Sequence, residues 1–546
     1  MRKENRVINS LRNISWGIIF KFILLILGFF NKTIIIQIIG IEYAGIASLF
    51  TSIMSVLNMA ELGLNSAILF SMYNSVATKN IKRANVLLNF YKKAYLTIGS
   101  TIFFIGIFLC IKIKWFITKG YPVQLNIYIV FLIFLMNTVI SYILYAHYSI
   151  ILSANQREDI IYRNNIIVYV CAQLVQFITL IFWKNYYIYI LISLIATMIY
   201  NYLNYRSAKN RYPEYRCEGS ISTEEKKLLK KQISGLMLGK LSVISRNSFD
   251  SIVISSFLGL AATGVYGNYY YIMYSVFCLI FYFCSGMKAS IGNKITTCSI
   301  KENYINLLEF SYIFYMIYGT CTIILLCLYQ PFMELWVGKE YTSTFMLALL
   351  MCIYFFFFCS TGIISQYWEV AGLFWENRYR YVIEAILNLI LNVILVRVIG
   401  LYGVISATII TMLFSTNILG PYILFKYYFK ECSLRRYFLQ QIKYFIYTAI
   451  SGSIAYNFCS FIKENGVVEL FIRLFISGFI AIILILYFSF NSAENQNIWE
   501  HYGYLIGIKN NKIRIKYRKL LYNILCMLVI IIIIICVILN FKNMMT

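Results

Sequence analysis

The run from Ile233 to Leu258, ISGLMLGKLSVISRNSFDSIVISSFL, is long enough to cross a bilayer and carries Arg246 and Asp250 near its middle. Across a hydrocarbon slab about 30 Å thick, both charges would lie near the midplane, where an ionisable side chain is costly and faces a cavity or a partner. Gly235, Gly239, Ser242, Arg246 and Asp250 recur every three or four residues, which places them on one helical face. That face either packs on a neighbouring helix, with the ion pair stabilising the bundle, or lines a water-filled cavity. Pairing alone does not account for two charges at midspan, and this favours the cavity.

The rest of the chain decides whether the run crosses a membrane. The protein has 546 residues, of which 60% are hydrophobic and 13% charged, and its mean hydropathy is +0.72. A soluble globular domain carries about 25% charged residues, so this is an integral membrane protein. Only 4 prolines and 28 glycines, with no alternation of polar and apolar residues over strand-length segments, favour α-helices over a barrel.

Working outward, apolar stretches of about twenty residues or more precede the polar segment Arg206 to Lys231 at Ile14 to Ile39, Ala44 to Phe70, Val86 to Ile111, Gln124 to Leu152, Asn164 to Trp183 and Tyr186 to Tyr205. They resume with the opening run and continue through Gly264 to Gly286, Asn306 to Tyr329, Tyr341 to Tyr367, Tyr379 to Val398 and Tyr402 to Tyr427. Phe438 to Phe461 and Val468 to Phe490 follow, and Leu520 to Phe541 is a candidate fifteenth span. The expected fold is all-α and polytopic, with about fourteen transmembrane helices. Residues 1–215 form an N-lobe of six helices, 216–430 a C-lobe of six, and 431–546 a C-terminal set.

With the N-terminus in the cytoplasm, most of the 48 Lys and Arg fall on inner segments, so the net charge of +26 is mainly a topological signal. Lys226, Lys227, Lys230 and Lys231 suit anionic phospholipids of the inner leaflet. Nucleic acid is not needed to explain the charge. The first span lacks a small-residue cleavage site and is expected to be retained as a helix. The 14 cysteines are scattered singly, apart from the two histidines, and read as apolar side chains rather than disulfides or metal ligands. No cofactor is expected. The loops are too short for a folded domain of about 50 residues, so any chemistry lies inside the bundle, which counts against an enzyme.

Ile38 to Phe50, IIGIEYAGIASLF, and Phe257 to Tyr269, FLGLAATGVYGNY, share glycines at common offsets, each after an odd-numbered helix. Such parallel repeats place a transport site between two halves. Glu61 to Ala67, ELGLNSA, resembles the second-helix motif of polysaccharide flippases of the Wzx type, in the superfamily that also holds MATE multidrug exporters and lipid II flippases. Arg246 to Tyr266 resembles that family's helix 7, Ala371 to Thr408 its helices 11 and 12, and Ser153 to Asn165 the loop after helix 4. The resemblance extends from about Asn9 to Phe429. It implies a multi-pass protein of the bacterial inner membrane, with its N-terminus cytoplasmic, that moves an undecaprenyl-pyrophosphate-linked oligosaccharide, such as an O-antigen or capsule repeat unit, to the outer leaflet. A polysaccharide polymerase and chain-length proteins are the implied partners. The alternatives are a MATE-like multidrug antiporter and, in another class, a membrane polysaccharide polymerase or ligase.

Within this frame Lys21, Lys240 and Arg246 are the expected pyrophosphate-binding cations, Lys21 and Lys240 also being able to snorkel to the inner headgroups. Glu61, Asp250 and Glu384 are candidates for proton or cation coupling, and Asn58, Asn65, Ser242 and Asn388 for cavity polar groups. Glu61 partnered with Lys21 is an equal alternative, and Glu384, Asn388 and Asn392 also read as hydrogen-bonded packing. Arg378 and Arg380 are expected only to set topology. The 48 Tyr and 42 Phe follow a general compositional bias, and no site is built on them.

Overall fold

The computed structural model describes residues 3–61, 63–462, 466–502 and 511–545, and leaves aside the side chains of some helical residues, including Lys240 and Ser242. Every regular element described is helical: α1 (Lys3–Ile38), α2 (Ile41–Leu57), α3 (Leu64–Ala77), α4 (Ile81–Ile111), α5 (Ile127–Ile143), α6 (Ser149–Ala154), α7 (Glu158–Trp183), α8 (Tyr186–Arg211), α9 (Thr223–Leu258) and α10 (Leu260–Thr297). After these come α11 (Ile300–Val337), α12 (Phe345–Ser360), α13 (Gly362–Val370), α14 (Arg378–Ile399), α15 (Leu401–Met412), α16 (Gly420–Tyr427), α17 (Leu434–Ser460), α18 (Val467–Ser489), α19 (Ala493–Tyr502) and α20 (Asn511–Met545).

Each apolar stretch of the sequence is helical, and the differences lie in where helices break. The second expected span is interrupted by a 3-10 turn, Asn58–Glu61, after which Gly63, at φ 91°, starts α3. The fourth bends by 44° between α5 and α6, where Tyr145 is left-handed at φ 57°. The twelfth is widened into a π-helix over Leu413–Leu419. By length and composition ten helices are able to cross a membrane, or eleven with the bent pair, among the described residues. Leu520 to Phe541 lies within α20, and its side chains beyond residue 535 fall outside the described residues.

Polar residues at the helix starts fix the boundaries. Asn80, Asn126, Asn185, Ser222 and Ser433 each accept a hydrogen bond from a first-turn backbone N–H, and Ser299 with Glu302 closes a capping box. Each cap contributes about 1 kcal/mol, so part of the asparagine content is structural.

The chain forms two compact units. The first comprises Met1–Gly267 with Asn388–Val404, the second Asn268–Leu387 with Ile405–Thr546. In the first, α1 packs along α7, α4 along α5, α7 and α5 on α8, and α2 along α9. Amides join these apolar faces: Asn31 Nδ2 donates to Gln173 Oε1 at 2.6 Å and Asn31 Oδ1 accepts from Tyr189 at 2.6 Å, while Asn164 donates to Asn204 at 2.9 Å. In the second, α11 is central and packs on α12, α17 and α18, with Tyr315 stacked on Tyr444 at 4.0 Å. The most apolar window of Phe345–Val370 is 78% buried, against 20% for Leu260–Thr297. The former is a core span.

Candidate functional site

Among the buried or half-buried carboxylates, Glu61, Asp250 and Glu384 are the three that the sequence singles out. Glu61 ends the 3-10 turn between α2 and α3. Its Oε1 accepts from the Tyr95 hydroxyl at 2.6 Å and its Oε2 from that of Tyr142 at 2.8 Å. Tyr91 extends the chain by donating to Tyr95, and its oxygen lies 3.1 Å from Asn65 Oδ1. Tyr91, Tyr95 and Tyr142 are buried, with Tyr91 and Tyr95 one helical turn apart on α4. Tyrosine hydroxyls therefore hold Glu61, where the sequence had offered Lys21; Lys21 is exposed on α1. Asn58, in the same turn, buries its Oδ1 without a hydrogen-bond partner. The tyrosines went unrecognised because Tyr is common throughout this chain. Their only local signal is the four-residue spacing of Tyr91 and Tyr95.

Asp250 is fully buried on α9. Tyr266 donates to its Oδ2 at 2.9 Å and Asn392 Nδ2 to its Oδ1 at 2.7 Å, with Asn388 Oδ1 3.4 Å from the same Asn392 nitrogen. Arg246, one turn earlier, is 7% exposed. The structure thus joins Asp250 to Asn388 and Asn392, which the sequence had placed on a separate helix with no stated link. Lys240 and Ser242 share α9, but their side chains lie outside the described residues.

Glu384 belongs to the second unit and differs in kind. Arg380 Nη1 lies 3.3 Å from its Oε2, with the two side chains 3% and 2% exposed. Ser415 and Thr416 donate to the same oxygen at 2.7 and 3.1 Å. Arg380 also donates to Asn377 at 2.9 Å and stands over the Trp368 ring at 4.6 Å. The expectation that Arg380 only sets topology is overturned, since it is a buried ion-pair partner. Ser415 and Thr416 are consecutive residues of the π-helix, and both hydroxyls reach the one carboxylate. Short π segments concentrate at functional sites.

Two further features were not foreseen. Lys32 of α1 donates to the Gly267 carbonyl at 2.7 Å. The second unit holds an apolar cavity of about 490 Å³ lined by Phe356, Phe357, Ile418, Phe438 and Phe445, with Ser360, Asn417 and Gln441 as polar members. Ser360 donates to Asn417 at 2.6 Å.

In the first unit, where α1 meets the start of α7, Arg12 and Arg157 hold Asp159 at 3.1 and 2.9 Å. Arg83 pairs with Glu225 at 3.0 Å, and Asn89 holds the carbonyl of Gly219 at 2.7 Å, which clasps the central loop onto α4. No cluster of metal-ligating side chains occurs among the described residues.

The described residues form a helical bundle broken at glycines, in which tyrosines bond Glu61, Tyr266 and Asn392 bond Asp250, and Arg380 pairs with Glu384. Solved structures share this fold. The chain is similar to the lipid II flippase MurJ in an inward closed conformation, at 15% identity and a TM-score of 0.63, covering 87% of this chain and 99% of that one. It is also similar to a multidrug resistance MATE family transporter of the MOP superfamily. The inward-facing form gives 13% identity, a TM-score of 0.58 and coverage of 74% and 94%; an outward-facing form gives 12%, 0.52, and 77% and 96%. No family model matches the sequence, and no curated protein matches it. The fold is that of these transporters.

Proposed function

We propose that the protein is a flippase that carries a lipid-linked oligosaccharide on an undecaprenyl pyrophosphate from the inner to the outer leaflet of the bacterial plasma membrane. The observation that carries this reading is Arg246, a guanidinium 7% exposed on the polar face of α9. A buried guanidinium is suited to a pyrophosphate, whose oxygens it meets through charge-assisted hydrogen bonds. Lys21 and Lys240 are the further cations of the proposed site, and the lobes 1–215 and 216–430 are its moving bodies. The likeness in fold to a lipid II flippase over nearly the whole of that chain supports a lipid-linked substrate.

Glu61 is the proposed coupling carboxylate. Tyr95 and Tyr142 supply its hydrogen bonds without supplying charge, so a proton or monovalent cation arriving there would change the balance of the site. Asp250, bonded by Tyr266 and Asn392, is the second candidate. Glu384 has its charge offset by Arg380, and it is better assigned to holding the π-helix.

A MATE-like antiporter remains the second reading, on the strength of the fold likeness to a MATE transporter. The two differ in living cells. On deletion of the gene, a flippase leaves the lipid-linked oligosaccharide accumulating on the cytoplasmic face with drug tolerance unchanged; an antiporter leaves glycan export intact and lowers tolerance to cationic drugs.

A further inference from the structure

Within the second unit, α17, α18 and α19 pack on α11. On α17, Tyr437, Gln440, Tyr444, Thr448 and Ser451 are buried at spacings of three and four, which puts them on one face. That face carries hydrogen-bonding groups against α11. Gln440 Nε2 donates to the carbonyl of Leu308 at 3.1 Å, and one turn further along each helix the rings of Tyr444 and Tyr312 lie 6.3 Å apart. The Tyr312 hydroxyl meets Ser489 Oγ, at the end of α18, at 2.9 Å. Ser489 donates to the carbonyl of Ile485, so Tyr312 donates to Ser489. In turn it accepts from Asn495 Nδ2 of α19 at 2.9 Å. Ser492 caps that helix by accepting from the Asn495 backbone N–H at 3.2 Å.

What these bonds leave over is one-sided. Gln440 Oε1, Tyr444 Oη and Asn495 Oδ1 are buried with no hydrogen-bond partner, on residues 5%, 3% and 4% exposed. An unmet buried oxygen is costly, and three around one junction call for an occupant. Both amide nitrogens already donate, so the groups on offer are acceptors: two carbonyl oxygens and a phenol oxygen. A carboxylate stands beside them. Glu494 precedes Asn495, its side chain is 11% exposed, and its charge bears on the hydroxyls of Tyr312 and Tyr444. Oxygen acceptors with a carboxylate close by are what a hard cation takes. Arg436, half exposed, offsets part of the Glu494 charge from 3.3 Å. One partly offset carboxylate suits a single positive charge, whereas a divalent ion draws on more.

We propose that the junction of α11, α17 and α19 binds a monovalent alkali cation through Gln440 Oε1, Tyr444 Oη and Asn495 Oδ1, with Glu494 supplying the negative field. The cation draws α19 onto the two longer helices and fastens the C-terminal set. This site is distinct from Glu61 and Asp250, which belong to the first unit, and it is independent of what the protein carries.

The test uses the purified full chain in detergent. Thallium(I) acetate, whose cation scatters anomalously and stands in for alkali ions, replaces sodium and potassium in crystals, and an anomalous peak is expected among the three oxygens. In circular dichroism melts at one ionic strength, sodium or potassium chloride should raise Tm about 2 to 4 °C above choline chloride. Tyr444→Phe keeps the ring stacked on Tyr315 and removes one ligand, and it should abolish both the peak and the difference. Asn495→Leu should do the same. Glu61→Gln combined with Asp250→Asn should keep both. Ordered water without anomalous signal at the junction, or equal melting in alkali and choline salts, would overturn the site. So would a difference that survives Tyr444→Phe and disappears with the first-unit pair.

Discussion

Replacing Arg380 with methionine removes the positive partner of Glu384 while keeping a side chain of similar length against the Trp368 ring. The guanidinium nitrogen lies 3.3 Å from Glu384 Oε2, and both groups are almost wholly excluded from solvent. Two unit charges at that separation attract by about 5 kcal/mol at an effective dielectric of about 20. Removing one member of a buried pair costs about 3 to 5 kcal/mol, because the other charge is left uncompensated. The hydroxyls of Ser415 and Thr416, at 2.7 and 3.1 Å, still face the carboxylate and hold the expected loss to the lower end, about 3 kcal/mol. Adding Glu384→Gln removes the stranded charge and keeps a carbonyl acceptor for one hydroxyl, so the double variant should lie within about 1 kcal/mol of the parent. The implied coupling between the two positions is about 2 kcal/mol or more. The assay is reversible unfolding in mixed detergent micles of increasing denaturing-detergent fraction, followed by circular dichroism for the four corners of the cycle. An Arg380→Met variant as stable as the parent, or a double variant no more stable than the single one, would refute the reasoning.

Other expectations concern the buried polar groups. Tyr95→Phe with Tyr142→Phe keeps the rings and removes both donors to Glu61, so the protein should stay in the membrane, at a stability cost of about 2 to 5 kcal/mol for two bonds to a charged group, while transport falls at least tenfold in a vesicle assay. Asn392→Leu strips one of the donors from Asp250 and should cost about 1.5 to 3 kcal/mol in the same unfolding measurement, whereas Asn392→Gln should recover part of it. Arg246→Ala should abolish glycan export without lowering the amount of protein in the membrane, read by surface glycan and by immunoblot. Retained export with Ala at both Arg246 and Lys21 would remove the pyrophosphate role from these cations.

Span positions were legible because apolar length and flanking cations are local properties, and the helical register of α9 correctly put Arg246 and Asp250 one turn apart. Breaks were partly legible: Gly40 and Gly259 stood out as matched glycines, whereas the 3-10 turn at Asn58–Glu61 and the π-helix at Leu413–Leu419 follow from tertiary partners. The partners themselves were not legible. Tyr142 reaches Glu61 across 81 positions and Asn392 reaches Asp250 across 142, and nothing in either neighbourhood encodes the other. Arg380 was misread because an arginine in the first turn of a span looks interfacial in sequence, and only the wall of Trp368, Asn377 and Thr416 shows that it is buried. Lys32, six residues before the end of α1, is indistinguishable in sequence from a lysine that snorkels to the headgroups.

The proposed cargo is an anionic, lipid-linked sugar. The most direct measurement reconstitutes the purified protein in sealed lipid vesicles containing undecaprenyl-pyrophosphate-linked oligosaccharide and follows the fraction of sugar accessible to a lectin added outside, with and without a proton or sodium gradient. Accessibility should rise with the native protein and stay at the protein-free level with Arg246→Ala. Equal accessibility for vesicles with native protein and vesicles without it, under either gradient, would contradict it.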